Sequence, residues 1–77
     1  MSISYVLISC DMGDKKMIVN ELEKIDTVKE IIRVIGSYEI IVKLEDQSSN
    51  NTKNTISSKI RTINRIRTTL TLLTIEI

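Results

Sequence analysis

The stretch from Val28 to Leu44, VKEIIRVIGSYEIIVKL, sets two β-branched runs, Val28–Ile35 and Tyr38–Leu44, on either side of Gly36-Ser37. Gly followed by Ser between apolar runs predicts a two-residue hairpin loop, because glycine reaches positive φ without steric cost. With that loop Ile35 faces Tyr38, Arg33 faces Ile40, and Glu30 faces Lys43, a pair of opposite sign. One face of the ribbon then carries Ile31, Ile35, Tyr38, Ile40, Val42 and Leu44; the other carries Val28, Ile32, Val34 and Ile41. A hairpin lying on a protein surface has one polar face. This one is apolar on both.

The same pattern organises the rest of the chain. Ile3 to Cys10, ISYVLISC, is a continuous apolar run of strand length bounded by Asp11 and Gly13, which predicts a central strand buried on both faces. Asp14 is placed to cap a helix starting at Lys15, in which Met17, Ile18, Leu22 and Ile25 share one side. After the polar turn Glu45–Ser49, Ile56, Ile60 and Ile63 recur at i, i+4, i+7 and predict a second helix from Ser49 to Ile63, with poor helix formers in its first half. Ile66 to Ile77 reads as a last strand. Lys24–Gly36 resembles Thr62–Thr74 at an offset of 38 residues, so each half is one β-α-β unit. Right-handed crossovers then place both helices on one face of a four-stranded antiparallel sheet, an α+β, ferredoxin-like βαββαβ domain spanning 1–77.

One sheet face is left without helices. Four strands ~4.8 Å apart present roughly 350 Å² per face. Both phases of Tyr5–Ile8 and of Leu70–Ile75 are apolar, as in the hairpin. Covering that face with a second copy is worth on the order of 10 kcal/mol before entropy losses. The expectation is a homodimer packed sheet against sheet.

Composition narrows the function. Seventy-seven residues suffice for one small domain, and the net charge of +1 with interspersed signs offers no broad polyanion surface. Fifteen isoleucines and two aromatics, Tyr5 and Tyr38, fit a strand-rich core. A single cysteine, Cys10, excludes an internal disulfide, and with no histidine present it reads as a small buried hydrophobe rather than a metal or redox group. No basic-then-apolar leader and no apolar run of about 18 residues occur, which predicts a cytoplasmic protein without membrane contact. Asn50-Asn51-Thr52 matches a glycosylation sequon, which has no use in that compartment.

The basic cluster Lys59, Arg61, Arg65, Arg67 lacks a helix-turn-helix before it and aromatics for base stacking, and reads as a solvated surface. Glu21, Glu23 and Glu30 read as surface charge. With no histidine, no nucleophile context and no Gly-rich phosphate loop, neither an enzyme nor a cofactor or metal site is expected. Gly36-Ser37-Tyr38-Glu39 offers backbone N–H groups, a phenol and a carboxylate at the open end of a sheet. Such a tip suits a zwitterion, its amino group on Glu39 and its carboxylate on the N–H groups; an ordinary turn with a solvated Glu accounts for the same spacing.

At these residues the chain resembles the effector-binding (RAM) domain of the Lrp/AsnC regulators. The likeness covers Ser4–Glu45, the second helix, and Arg65–Ile77, and is most specific in V-x-x-x-x-x-V-x-G-x-Y-[DE]-I, Val28 to Ile40. It implies a dimeric α/β sandwich whose dimers assemble further, commonly into octamers or decamers. It also implies an amino acid or related small effector at the dimer–dimer junction near the hairpin tip. Carried over by position, Gly36, Tyr38 and Glu39 match the tip, Thr69 and Thr71 match the last strand, and Ser37 fills the variable slot. Glu39 stands where the family usually has Asp. The helix-turn-helix that normally precedes this domain has no counterpart before the first strand, so the expectation is a stand-alone module. It would act through protein contacts, for instance by co-assembling with full-length Lrp/AsnC regulators, without binding DNA itself. Two alternatives share the topology: a purely structural oligomerisation module without ligand, and a small dimeric α/β-barrel enzyme.

Overall fold

The structure, a computed structural model, describes residues 2–74. Strand β1 (Ser2–Cys10) leads through a 3-10 turn (Met12–Asp14) into helix α1 (Lys15–Glu23). Strands β2 (Val28–Arg33) and β3 (Ile40–Asp46) follow, then helix α2 (Ser49–Thr55), a π-helical turn (Ile56–Ile60) and strand β4 (Ile66–Leu73). The sheet order is β2-β3-β1-β4 with every neighbour antiparallel, the expected ferredoxin-like arrangement. The part of the expected last strand from Ile75 to Ile77 lies outside the described residues.

Alternation along the central strands builds the core. Ser4, Val6, Ile8 and Cys10 of β1 and Ile40, Val42 and Leu44 of β3 point to one side and are buried. Ile18, Val19, Leu22 and Ile25 from α1 and its C-terminal end, and Ile56 and Ile60 from the second helical segment, close over them in one cluster. Both helices therefore cover the same face. On the other face Ile3, Tyr5, Leu7 and Ile41 are only half-buried, so the burial expected on both faces of β1 holds on one within this chain.

Several local expectations are corrected. The hairpin keeps the expected register, with Arg33 opposite Ile40, Ile32 opposite Ile41 and Glu30 opposite Lys43. Its loop is wider, however. Pairing closes with the Val34 N–H donating to the Glu39 carbonyl (2.9 Å), and Ile35 to Tyr38 span the tip. Ile35 does not face Tyr38 across a ladder but is 97% exposed. Gly36 sits at φ +153°, far from the φ of a tight two-residue turn. A bulge between Val28 and Glu30 sets Val28 opposite Leu44, on the helix-covered side and not with Ile32.

In α1, Val19 and not Met17 faces the core. Asp14 makes no side-chain cap, because its backbone is already helical (φ −98°, ψ −7°) whereas a capping residue is extended. Ser48 does cap α2, its Oγ accepting from the Asn51 N–H at 3.2 Å. That helix ends at Ile60 and not Ile63: the Arg61 N–H donates to the Ile56 carbonyl (2.9 Å), and the chain turns away with Ile63 only partly buried. Hydroxyls support this weak helix-forming stretch, Thr52 donating to the Ser48 carbonyl (3.2 Å) and Ser58 to that of Asn54 (2.6 Å).

Ser4 is fully buried and its Oγ has no partner among the described residues. A buried hydroxyl left unpaired costs about 1–3 kcal/mol. Ser4→Ala is therefore expected to raise the urea midpoint by the equivalent of about 1 kcal/mol. Leu22→Ala should lower stability by about 2–5 kcal/mol, whereas Ile35→Ser should stay within about 0.5 kcal/mol.

Candidate functional site

The hairpin tip is held from two directions. The Glu39 N–H donates to the Ile8 carbonyl at 2.9 Å, tying the base of the loop to β1. The Glu39 carboxylate meets the Lys15 ammonium at 3.0 Å, with both side chains largely shielded from solvent. Twenty-four positions separate these two residues, and no local pattern announces their meeting. The pair docks the first turn of α1 against the hairpin. It leaves one carboxylate oxygen of Glu39 without a partner among the described residues.

Cys10 lies beside this pair, buried at the end of β1. Burial pushes its thiol above the ordinary value of 9.0; the Glu39 carboxylate adds to the shift and Lys15 opposes it. A neutral, shielded thiol is a poor nucleophile, which agrees with the packing role read from the sequence.

The remaining tip residues frame an open end. Gly36 and Ser37 are exposed and Tyr38 is half-buried. Thr69 and Thr71 lie on β4, opposite Ile8 and Val6, on the helix-covered side. Only β1 lies between them and the Glu39 end of the loop: Glu39 bonds to Ile8 from one side and Thr69 pairs with Ile8 from the other. Within one chain the structure brings Gly36 to Glu39 together, adds Lys15 to them, and sets Thr69 and Thr71 one strand away, across β1.

Thr71 lines instead a groove of about 330 Å³ with Lys53, Ile56, Ser57, Arg61 and Leu73. Thr69 lines a neighbouring depression that shares Arg61. The spacing of Lys53, Ser57 and Arg61 at i, i+4, i+8 is visible in the sequence and is the signal that finds this groove. Of the basic cluster, Arg67 pairs with Asp11 at 2.7 Å on the surface, and Arg65 adopts a positive φ of 77° in the turn before β4.

A βαββαβ sheet covered by helices on one side, with a glycine-tyrosine-acid hairpin tip, is a ferredoxin-like α+β module. Neither a protein-family model nor a curated protein matches the chain. Solved structures do. The structure of FFRP-DM1 is 29% identical with a TM-score of 0.91, over 97% of this chain and 100% of that one. Escherichia coli AsnC is 26% identical with a TM-score of 0.91, over 97% of this chain and 51% of its own. The Neisseria meningitidis transcriptional regulator NMB0573, solved as an L-Met complex, shares the fold (TM-score 0.86, 97% of this chain, 50% of that one) at 6% identity. The structural neighbours are thus Lrp/AsnC-type regulators, and the resemblance read from the sequence is borne out. The chain spans about half the length of AsnC. Among the described residues no helix is long and apolar enough to cross a membrane.

Replacing Lys15 by Met leaves the shielded Glu39 carboxylate unpaired and should cost about 1–3 kcal/mol in urea unfolding. Adding Glu39→Gln to that variant should recover part of the loss, which a double-mutant cycle reads directly.

Proposed function

We propose that residues 1–77 form one effector-binding and assembly module of the Lrp/AsnC type. It dimerises through its open sheet face, and dimers join into a higher ring, an octamer or decamer. An amino acid or related zwitterion binds at the junction between dimers. There Gly36, Ser37, Tyr38 and Glu39 of one chain meet Thr69 and Thr71 of another. The module is cytoplasmic and non-enzymatic, needs no cofactor, and acts on transcription regulators by protein contact rather than by binding DNA.

The observation that carries this reading is the uncovered face. Ile32, Ile41, Leu7 and Leu70 form one apolar row across all four strands, flanked by Tyr5 and Leu72. Ile32, Leu70 and Leu72 are 41, 44 and 50% exposed, a concentration of apolar surface that marks an interaction site. The L-Met of the NMB0573 structure supports the ligand class. The Lys15–Glu39 pair favours a second reading, a structural module without ligand, because an incoming amino group must compete with Lys15.

Sedimentation velocity at micromolar concentration should show a dimer or larger, and Leu7→Lys should produce a monomer. A wild-type monomer overturns the assembly. In a thermal-shift panel of the twenty amino acids, a ligand at 100 times its Kd adds ~2.7 kcal/mol of stability. No shift with any of them, in a confirmed oligomer, decides for the structural module.

A further inference from the structure

We propose that the groove between the second helical segment and β4 is a second binding site, for a small carboxylic acid with a short apolar chain. Its wall is built by periodicity. Lys53, Ser57 and Arg61 stand one above another along the helix, and Thr71 and Leu73 are alternate, same-side residues of β4. Together with Ile56 they line an open groove of about 330 Å³, a volume inside the ~300–1,000 Å³ range of small-molecule sites.

The chemistry of the lining selects the ligand. Among the described residues neither Lys53 nor Arg61 has a carboxylate partner, although the other groove-side arginine, Arg67, is paired with Asp11. Two cations flanking the hydroxyls of Ser57 and Thr71 suit an anionic oxygen pair, and the guanidinium fork matches a carboxylate in particular. Ile56, buried, and Leu73 give the groove an apolar side. An inorganic anion leaves that side unused, while a short alkyl chain fills it.

The backbone supplies independent support. The helix widens into a π turn over Ile56–Ile60, along this wall, and such turns are rare and concentrate at functional sites. The site stands at the β4 edge with its described lining from one chain; it shares Thr71 with the effector reading above, while Lys53, Ile56, Ser57 and Arg61 belong to this groove and not to that site.

The test is an amide-resolved NMR titration of the intact chain with hexanoate, with hexylamine, 1-hexanol and inorganic phosphate as parallel arms. Hexanoate is expected to shift the amides of residues 53–61 and 69–73 saturably at millimolar concentration, with the other three at least about ten-fold weaker. The exposed double substitution Lys53→Gln/Arg61→Gln should weaken hexanoate about ten-fold or more without changing the melting temperature. Glu39→Gln should leave hexanoate binding unchanged, which separates this groove from the tip. Hexanoate shifts confined to other residues, equal binding of phosphate or hexylamine, or an unaffected double variant would each overturn the proposal.

Discussion

The pairing of β1 with β3 is the constraint on which the molecule depends. These strands are the two interior ones of the sheet, and the pairs Val6–Val42 and Ile8–Ile40 supply its fully buried centre. Strand β2 attaches only to β3 and strand β4 only to β1. Both helices dock on this same floor, through Ile18 and Leu22 on one side and Ile56 and Ile60 on the other. A chain of this size has one core to build, so every element is stabilised through that four-residue centre. Ser4 lies in the same layer, its hydroxyl without a partner among the described residues, a cost that the surrounding apolar burial offsets.

Covering one face with both helices forces the other face open. Alternation along a strand sends every second residue outward. With interior strands this apolar, Tyr5, Leu7 and Ile41 arrive beside Ile32, Leu70 and Leu72 on the bare side. Charge enters this face at Lys43, which lies between Glu30 and Tyr5, and at Glu45 opposite Ile3. A second surface therefore follows from the packing rule itself, before any ligand enters the argument. A π turn in the second helical segment, a wide loop at the hairpin tip and a bulge at the start of β2 interrupt this regular frame.

What the sequence revealed and concealed follows the same division. Period-two patterning sufficed for the hairpin register from Glu30–Lys43 to Arg33–Ile40, because a one-residue slip would have turned its apolar residues outward. The offset of 38 between halves placed β4 as well: it carries Val28, the first residue of β2, onto Ile66, the first residue of β4. Ile35 and Val28 were misplaced because an exposed loop and a bulge obey local backbone geometry, to which a hydrophobic pattern is blind. Helix α2 was overextended for a related reason, since the spacing of Ile56, Ile60 and Ile63 is as compatible with a π turn and a bend as with a continuous α-helix. The Lys15–Glu39 pair was illegible, since charge pairing between distant segments leaves no periodic trace.

That pair bears on what the hairpin tip can sense. Glu39 occupies a position where the resembled family usually carries Asp, and one fewer methylene withdraws a carboxylate by ~1.5 Å. From that position a contact of 3.0 Å with Lys15 would lengthen beyond hydrogen-bonding range unless the loop or the helix moved. The longer side chain is thus matched to a lysine at the first turn of α1, and the substitution has a structural partner within this chain. A zwitterion whose amino group engages Glu39 has to share the carboxylate or displace the lysine. If it displaces the lysine, the first turn of α1 loses its tie to the hairpin. Occupation of the tip is then coupled to the docking of α1 on the sheet, so a ligand at an exposed loop acquires a route into the core that its exposure alone would not provide.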